Sequence, residues 1–331
     1  MKDLRDLAYQ KCLGALPSRY RRRLFLDLAK MLGISKIRVK GEYGDISGFI
    51  DDTQIFGLYV RDGVWSAHIN AIFVDYFSNR ICGTFPDIGA NIGLTTIPVA
   101  RNRNICCHAF EPDPDNFDLL QENVRHNVGS DVRLHNVALF SDTTSLTLAL
   151  SPDNQGNHRI EHGIWKQSPL RVRDQDRKTI NVRGDRLDAI LDKGCVEAPL
   201  AIKIDAERSE YHIYKGGKNV IRLADLVIME YWPYGIKNLE GNADEMIGMI
   251  EEDFDYATIL HESRPFGLHQ LTRCSNIVCE LKNMSERLLE MECADASVDV
   301  LPAKKVFANS AVGPRENPRS VEYESQKRAA R

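Results

Sequence analysis

No run of this 331-residue sequence approaches the ~18 consecutive apolar residues needed to span a bilayer, so no integral membrane segment is expected. The opening MKDLRDLAYQKCLG is charged throughout and has no apolar stretch of the secretory kind. Cysteine is sparse: eight in the chain, none in CxxC spacing, with Cys106 and Cys107 adjacent. That excludes a disulfide scaffold and a finger-type zinc site, so reduced thiols in a cytoplasmic protein are expected, with no metal. A basic excess is also missing, because 43 Lys and Arg face 47 Asp and Glu for a net charge of −4. A nucleic-acid partner or an anionic membrane surface is therefore not expected. There is no internal repeat and no GxGxxG. What remains is a composition close to the globular average, 43% apolar and 27% charged, enough to bury a sizeable core.

The chain divides into three parts. Residues 1–80 read as a helical and mixed extension, helical through about residue 40, then short β-like pieces and a helix in HINAIFVDYF. Residues 81–300 alternate apolar strands with helical segments. Strands are expected at 83–88, 105–110, 132–139, 200–205, 225–230, 256–260 and 276–281, and helices at 93–101, 114–127, 208–221 and 242–253. Such alternation predicts an α/β fold with a doubly wound, mostly parallel seven-stranded sheet, its last two strands forming an antiparallel edge. Residues 140–183 interrupt the alternation as a hairpin-like insertion, and residues 301–331 read as a disordered tail.

The most informative run is Asp87-Ile-Gly-Ala-Asn-Ile-Gly93, where a strand ends and a helix begins. Gly89 permits a tight turn, Gly93 permits close approach, and the helix N-terminus offers free N–H groups. A dinucleotide pyrophosphate wants GxGxxG without an acid beside it. Here the loop starts with Asp87 and carries Asn91 in place of a glycine. An acid there suits a cationic, aminoacyl-like group, and Glu111, ending the second strand, can accept the hydroxyls of a ribose. This set describes S-adenosylmethionine better than NAD.

DIGANIG, AFEPDP, HNVALFSD and IKIDAERSE, in that order and spacing, resemble the FkbM family of S-adenosylmethionine-dependent methyltransferases over residues 83–232. The resemblance implies a Rossmann-like methyltransferase acting on a hydroxyl of a sugar, polyketide or related small-molecule or glycan acceptor. It places Asp87, Gly89, Asn91 and Gly93 in the cofactor loop, Glu111 on the ribose, and Asn136, Val137 and Ala138 along the adenine. The family's fourth motif usually reads KIDVEGAE, whereas this chain has Arg208 at the glycine.

Asp205 and Glu207 end the fourth strand and Glu230 ends the fifth. Such carboxylates serve as a general base, as oxygen ligands of a divalent cation, or as caps of the following helix. Lys203 most simply neutralises one of them. His158-Arg-Ile-Glu-His162 matches a zinc-protease string, but SPDNQGN before it favours a loop over the helix that string requires. His158 is then a base, a substrate contact or an ordinary loop histidine. Trp165, Tyr231, Trp232 and Tyr234 either stack on an acceptor ring or belong to the core. Asp205 or His158 is the expected base. The rival readings are an NAD-dependent oxidoreductase and a non-catalytic module on the same fold.

Overall fold

Residues 27, 28 and 31 are helical, as expected, but alternating burial along KIRVKG makes residues 36–41 a strand, where the sequence reading expected helix through about residue 40. β1 (Lys36–Gly41) pairs antiparallel with β2 (Gly44–Phe49). The computed structural model describes residues 27–28, 31–129, 132–152, 154–161, 177–192, 194, 196–261, 266–267, 270–290 and 297–305. Most of the N-terminal helical stretch, Trp165, His162 and most of the expected tail lie outside them. Two helices follow the hairpin, α1 (Ile55–Asp62) and α2 (Ala67–Phe77). The Asp52 carboxylate sets the start of α1 by accepting the N–H groups of Gln54, Ile55 and Phe56.

The sheet then builds through β3 (Thr84–Ile88), α3 (Thr96–Ala100), β4 (Cys106–Phe110), α4 (Pro114–Asn127) and β5 (Arg133–His135). Beside the insertion, β6 (Ala138–Leu139) joins its strands β7 (Thr144–Ala149), β8 (Arg159–Glu161) and β9 (Thr179–Asp185) in a separate sheet of the order β6-β9-β7-β8. After α5 (Leu187–Ile190) come β10 (Ala201–Ile204), α6 (Glu210–Gly216), α7 (Lys218–Ile221), β11 (Leu226–Tyr231), α8 (Pro233–Asn238) and α9 (Ala243–Asp253). The chain continues with β12 (Tyr256–Ile259), β13 (Thr272–Arg273), α10 (Cys274–Glu290) and β14 (Val298–Ala303).

The large sheet has the order β13-β12-β14-β11-β10-β3-β4-β5. Its strands from β11 to β5 are parallel, and β14 runs antiparallel to both β11 and β12. Order reverses between β3 and β10, so the loops that follow these two strands open a crevice at the carboxyl edge. Phe73, Phe77, Phe85, Ile97 and Leu120 fill one side of the sheet, and Ile213, Tyr214, Val220, Ile247 and Leu281 the other. Each such side chain contributes roughly 1.5–3 kcal/mol by leaving water. Among the described residues no helix is long and apolar enough to cross a membrane.

Three expectations about elements are corrected. Residues 276–281 belong to helix α10, because Ile277, Val278 and Leu281 recur at helical spacing and pack on the core. The strand that completes the antiparallel edge is β14, so residues 301–303 belong to the sheet and not to the tail. The single strand expected at 132–139 breaks at Asn136 into β5 and β6, which serve different sheets.

One glycine joins the halves of the crevice. Gly89 has φ of +76°, and a Cβ there would stand 1.7 Å from the Asp205 carbonyl oxygen. Gly129 has φ of +93° but open space around it. Gly89→Ala should therefore cost on the order of 3 kcal/mol, since overpacking adds to left-handed strain. Gly129→Ala should cost only the strain, about 1 kcal/mol. Urea unfolding of the two variants checks this, and equal losses would show that the approach to Asp205 is not tight.

Candidate active site

The cleft at the carboxyl edge encloses about 980 Å³ open to solvent. Gly89, Ala90, Asn91 and Ile92 form its floor, with Phe110, Glu111, Pro112, Val137 and Ala138 along one side. Asp205, Ala206, Glu207 and Ser209 form the opposite wall. The insertion supplies Gln155, Gly156, His158 and Ile160, and the N-terminal extension supplies Ile55 and Trp65.

Glu111 is buried at the end of β4. One carboxylate oxygen accepts the Asn91 N–H at 2.9 Å and the other the Asp113 N–H at 2.9 Å. Each oxygen keeps a further acceptor position for a hydroxyl. Asn91 holds φ of +50°, which leaves its side chain free to donate to the Gln155 carbonyl at 2.9 Å. Asn116 donates to the same carbonyl at 3.2 Å, and the Gln155 N–H reaches Asp52. The short turn Gln155–Asn157 is thus fastened both to the glycine loop and to the N-terminal extension. No sequence signal marked Gln155, Asn116 or Asp52, since a backbone carbonyl is the shared acceptor.

Several expected site residues sit elsewhere. Asp87 is fully buried beneath the glycine loop and does not line the cleft, because register places it beside Lys203 on the neighbouring strand. Its cationic partner is that lysine, 3.5 Å away, and Thr96 donates to it at 2.6 Å. The expectation that Asp87 meets a ligand's amine is corrected on that ground. Gly93 backs onto Leu120 and Ile97 and lets α3 pack closely, and it too is off the cleft wall. Asn136 stands behind the wall, donating to the carbonyls of Glu111 and Pro112 at 2.9 and 3.1 Å, whereas Val137 and Ala138 face the cleft.

Lys203 is buried between two acids. Its ammonium stands 3.5 Å from Asp87 and 3.2 Å from Asp205, and donates to the Gly89 carbonyl at 3.2 Å. Burial pushes the lysine down, but the carboxylates of Asp205 and Asp87 outweigh it and hold it above the ordinary value. Asp205 itself keeps 37% of its side chain exposed, into the cleft.

His158 is at the cleft with both ring nitrogens engaged. Nδ1 accepts the Ser151 N–H at 3.0 Å, so Nε2 carries the proton and donates to Gln155 Oε1 at 2.8 Å. Burial, with Arg177 nearby, pushes it down to about 4. A neutral ring whose one lone pair is taken is a poor proton acceptor, so the expectation that His158 is a base is corrected. It orients Gln155 instead.

Glu207 lines the wall, while Glu230 stands behind it at the end of β11. Burial, then Glu230 and Asp205, holds the Glu207 carboxyl well above its usual range. Burial likewise pushes Glu210 up to about 8 and Glu230 up to about 7. Oε2 of Glu210, Oε2 of Glu230 and Oγ of Ser209 are buried without a hydrogen-bond partner among the described residues. Tyr231 is core, its hydroxyl against Ser285, and Trp232 is buried with the Arg208 guanidinium 4.6 Å above its ring. Among the described residues no three His, Cys, Asp or Glu side chains are grouped to hold a metal ion.

These shifts set a pH dependence of stability. Burial raises Glu111 from 4.5 to about 8, as it raises Glu207, Glu210 and Glu230. A folded state that holds protons the unfolded chain has released loses stability as pH rises across that interval. The buried His108, His135 and His158 are lowered from 6.5 and take stability away only as pH falls below it. The melting temperature should therefore fall as pH rises from 6.5 towards 8. A flat or rising trend in thermal melts over that range would show these carboxyls to be hydrated.

The profile of the family described as Methyltransferase FkbM domain matches residues 87–256, just over half of the chain. The hexuronic acid methyltransferase AglP of Haloferax volcanii is 30% identical over 145 residues, 44% of this chain and 54% of that protein. The match thus spans about half the length of that curated relative. Among solved structures, precorrin-6y C5,15-methyltransferase from Geobacter metallireducens is 11% identical, with 71% of this chain and 87% of that one covered and a TM-score of 0.33. EvdMO1 is 12% identical, with 89% and 50% covered and a TM-score of 0.36.

Proposed function

The chain belongs to the FkbM family of methyltransferases, whose methyl donor is S-adenosylmethionine, and from that premise we propose that it methylates a hydroxyl of a sugar-like acceptor. The observation that carries the reading is the two-walled cleft, with Glu111 and the glycine loop on one side and the exposed carboxylate of Asp205 on the other. The residues present fit the donor. Glu111 has acceptor capacity left for ribose hydroxyls, and Phe110, Val137 and Ala138 offer an apolar wall for an adenine. Thr95 Oγ1, buried at the cleft and without a partner among the described residues, is a further polar contact. When bound, S-adenosylmethionine supplies an electrophilic methyl on a sulfonium.

The protein's own part is then orientation and proton removal. Glu111 and the loop at 89–92 fix the donor, and Asp205 takes the proton of the acceptor hydroxyl across the cleft. The Ser209 hydroxyl on that wall, without a partner among the described residues, supports an acceptor rich in hydroxyls. AglP, a hexuronic acid methyltransferase by name, supports the sugar class.

Calorimetric titration with S-adenosylmethionine and, separately, NAD tests the donor. Transfer of tritiated methyl to methyl β-D-glucuronoside and methyl β-D-glucoside then tests the acceptor. Binding of S-adenosylmethionine alone, with label on either glycoside, is expected. Binding of NAD alone, or label on amines only, would refute the reading.

A further inference from the structure

The turn that follows β10 is strained where it forms the acceptor wall. Glu207 has φ of +47° and Arg208 has φ of +85°, two consecutive left-handed residues that both carry a Cβ. Side chains make this conformation sterically unfavourable, and it persists only where the surroundings over-determine it. On its own chain the turn is held by Glu210, which accepts the Ala206 N–H at 2.9 Å, and by the Ser209 N–H on the Ala206 carbonyl at 3.3 Å.

A further hold, from outside the turn, comes from the side chain of Arg208. It is 5% exposed, and its guanidinium carbon lies 4.6 Å from the centroid of the Trp232 ring. Its stem lies against Gly235 so closely that a Cβ on that glycine would stand 2.8 Å from Arg208 Cγ. Trp232 and Gly235 belong to the start of α8, directly after β11. Arg208 therefore fastens the turn after β10 to the segment after β11. The residues flanking it in the turn, Asp205 and Glu207, are the carboxylates that face the cleft, and β11 carries Glu230, whose charge acts on Glu207.

We propose that Arg208 is a positioning residue: stacked on Trp232, it clamps the 205–209 turn in its left-handed conformation and so sets the acceptor wall of the cleft. The guanidinium acts through the backbone it holds, not by touching donor or acceptor. This inference rests on the reading of Asp205 as the residue that receives the acceptor's proton.

A clamp on a strained backbone makes a prediction that a direct chemical role does not. Alanine removes the clamp and keeps the strain at 208, whereas glycine removes the clamp and that strain together, since it adopts positive φ without steric cost. With methyl β-D-glucuronoside and tritiated S-adenosylmethionine, Arg208→Ala should lower kcat by about tenfold or more through misplacement of the wall. Donor affinity by calorimetry should stay within about twofold, because neither Arg208 nor Trp232 lines the donor side. Arg208→Gly should recover kcat to within about threefold of the unmodified protein. Equal losses in the two variants would assign the guanidinium a direct role, and full activity in both would assign it none. Either result overturns the clamp. Hydrogen–deuterium exchange over residues 204–210 is the independent arm: Ala should exchange faster than both Gly and the parent. If the unmodified protein labels no acceptor, the methyl-transfer reading fails, and the exchange order alone still decides whether Arg208 holds the turn.

Discussion

Replacing Lys203 by methionine should cost the fold about 3–5 kcal/mol, the loss expected when one partner of a buried ion pair is removed. The two acids it serves would not suffer equally. Asp205 is 37% exposed at its side chain and can turn to water, whereas Asp87 is fully enclosed. Without Lys203, Asp87 would keep only the Thr96 hydroxyl as a donor, and an uncompensated buried carboxylate is far more costly than a lost contact. The double variant Asp87→Asn with Lys203→Met removes both charges and should recover most of the stability. Asp87→Asn alone should fall between, because Lys203 would still have Asp205 and the Gly89 carbonyl. Urea unfolding of the three variants tests the order. A Lys203→Met protein within about 1 kcal/mol of the parent would mean that water reaches Asp87 in the fold. The loss should extend to donor binding, since the lysine also fixes the floor of the cleft through Gly89.

That same cation marks the boundary of what the sequence can tell. The strand-loop-helix at 87–93 was legible because glycine at Gly89 answers a local need, a positive φ, and local needs leave local signs. The place of Glu111 at the cleft was legible for a related reason: it follows a strand end at the carboxyl edge of a parallel sheet. The orientation of Asp87 was not legible. Whether an acid at a strand end faces the ligand or the interior depends on the strand beside it, and here that neighbour, β10, lies over a hundred residues further on.

The errors in the fold have the same origin. NIVCEL is apolar and rich in β-branched residues, as a buried strand would be, but its apolar positions also suit the inner face of a helix, and packing on the sheet decides. VDVLPA gives no clear strand signal, because aspartate and proline are depleted from strands, and pairing between β11 and β12 decides its conformation. His158 was a reasonable base on sequence grounds alone. Its silence comes from Ser151 and Gln155, which the insertion brings onto both ring nitrogens.

With the histidine engaged, the proposed reading gives the proton of the acceptor to Asp205. Asp205→Asn keeps the size and the carbonyl oxygen of the side chain but removes its ability to take a proton. It should lower kcat by ~10²–10⁴-fold, the usual span of general-base assistance. Stability should change little, because the side chain is part-exposed and Lys203 retains Asp87 and the Gly89 carbonyl. Donor affinity should also hold, since Glu111 and the glycine loop stand across the cleft. A fall in kcat with an unchanged dissociation constant for S-adenosylmethionine therefore separates the base from the donor site. The companion variant Glu207→Gln gives the contrast. Burial and the charges of Glu230 and Asp205 hold that carboxyl well above its usual range, so its charged form is opposed and a neutral amide of the same shape is a close replacement. Its kcat should fall far less. If Glu207→Gln were the crippled variant and Asp205→Asn the active one, the proton would leave by the inner carboxylates, and the part-exposed aspartate would serve only to neutralise Lys203.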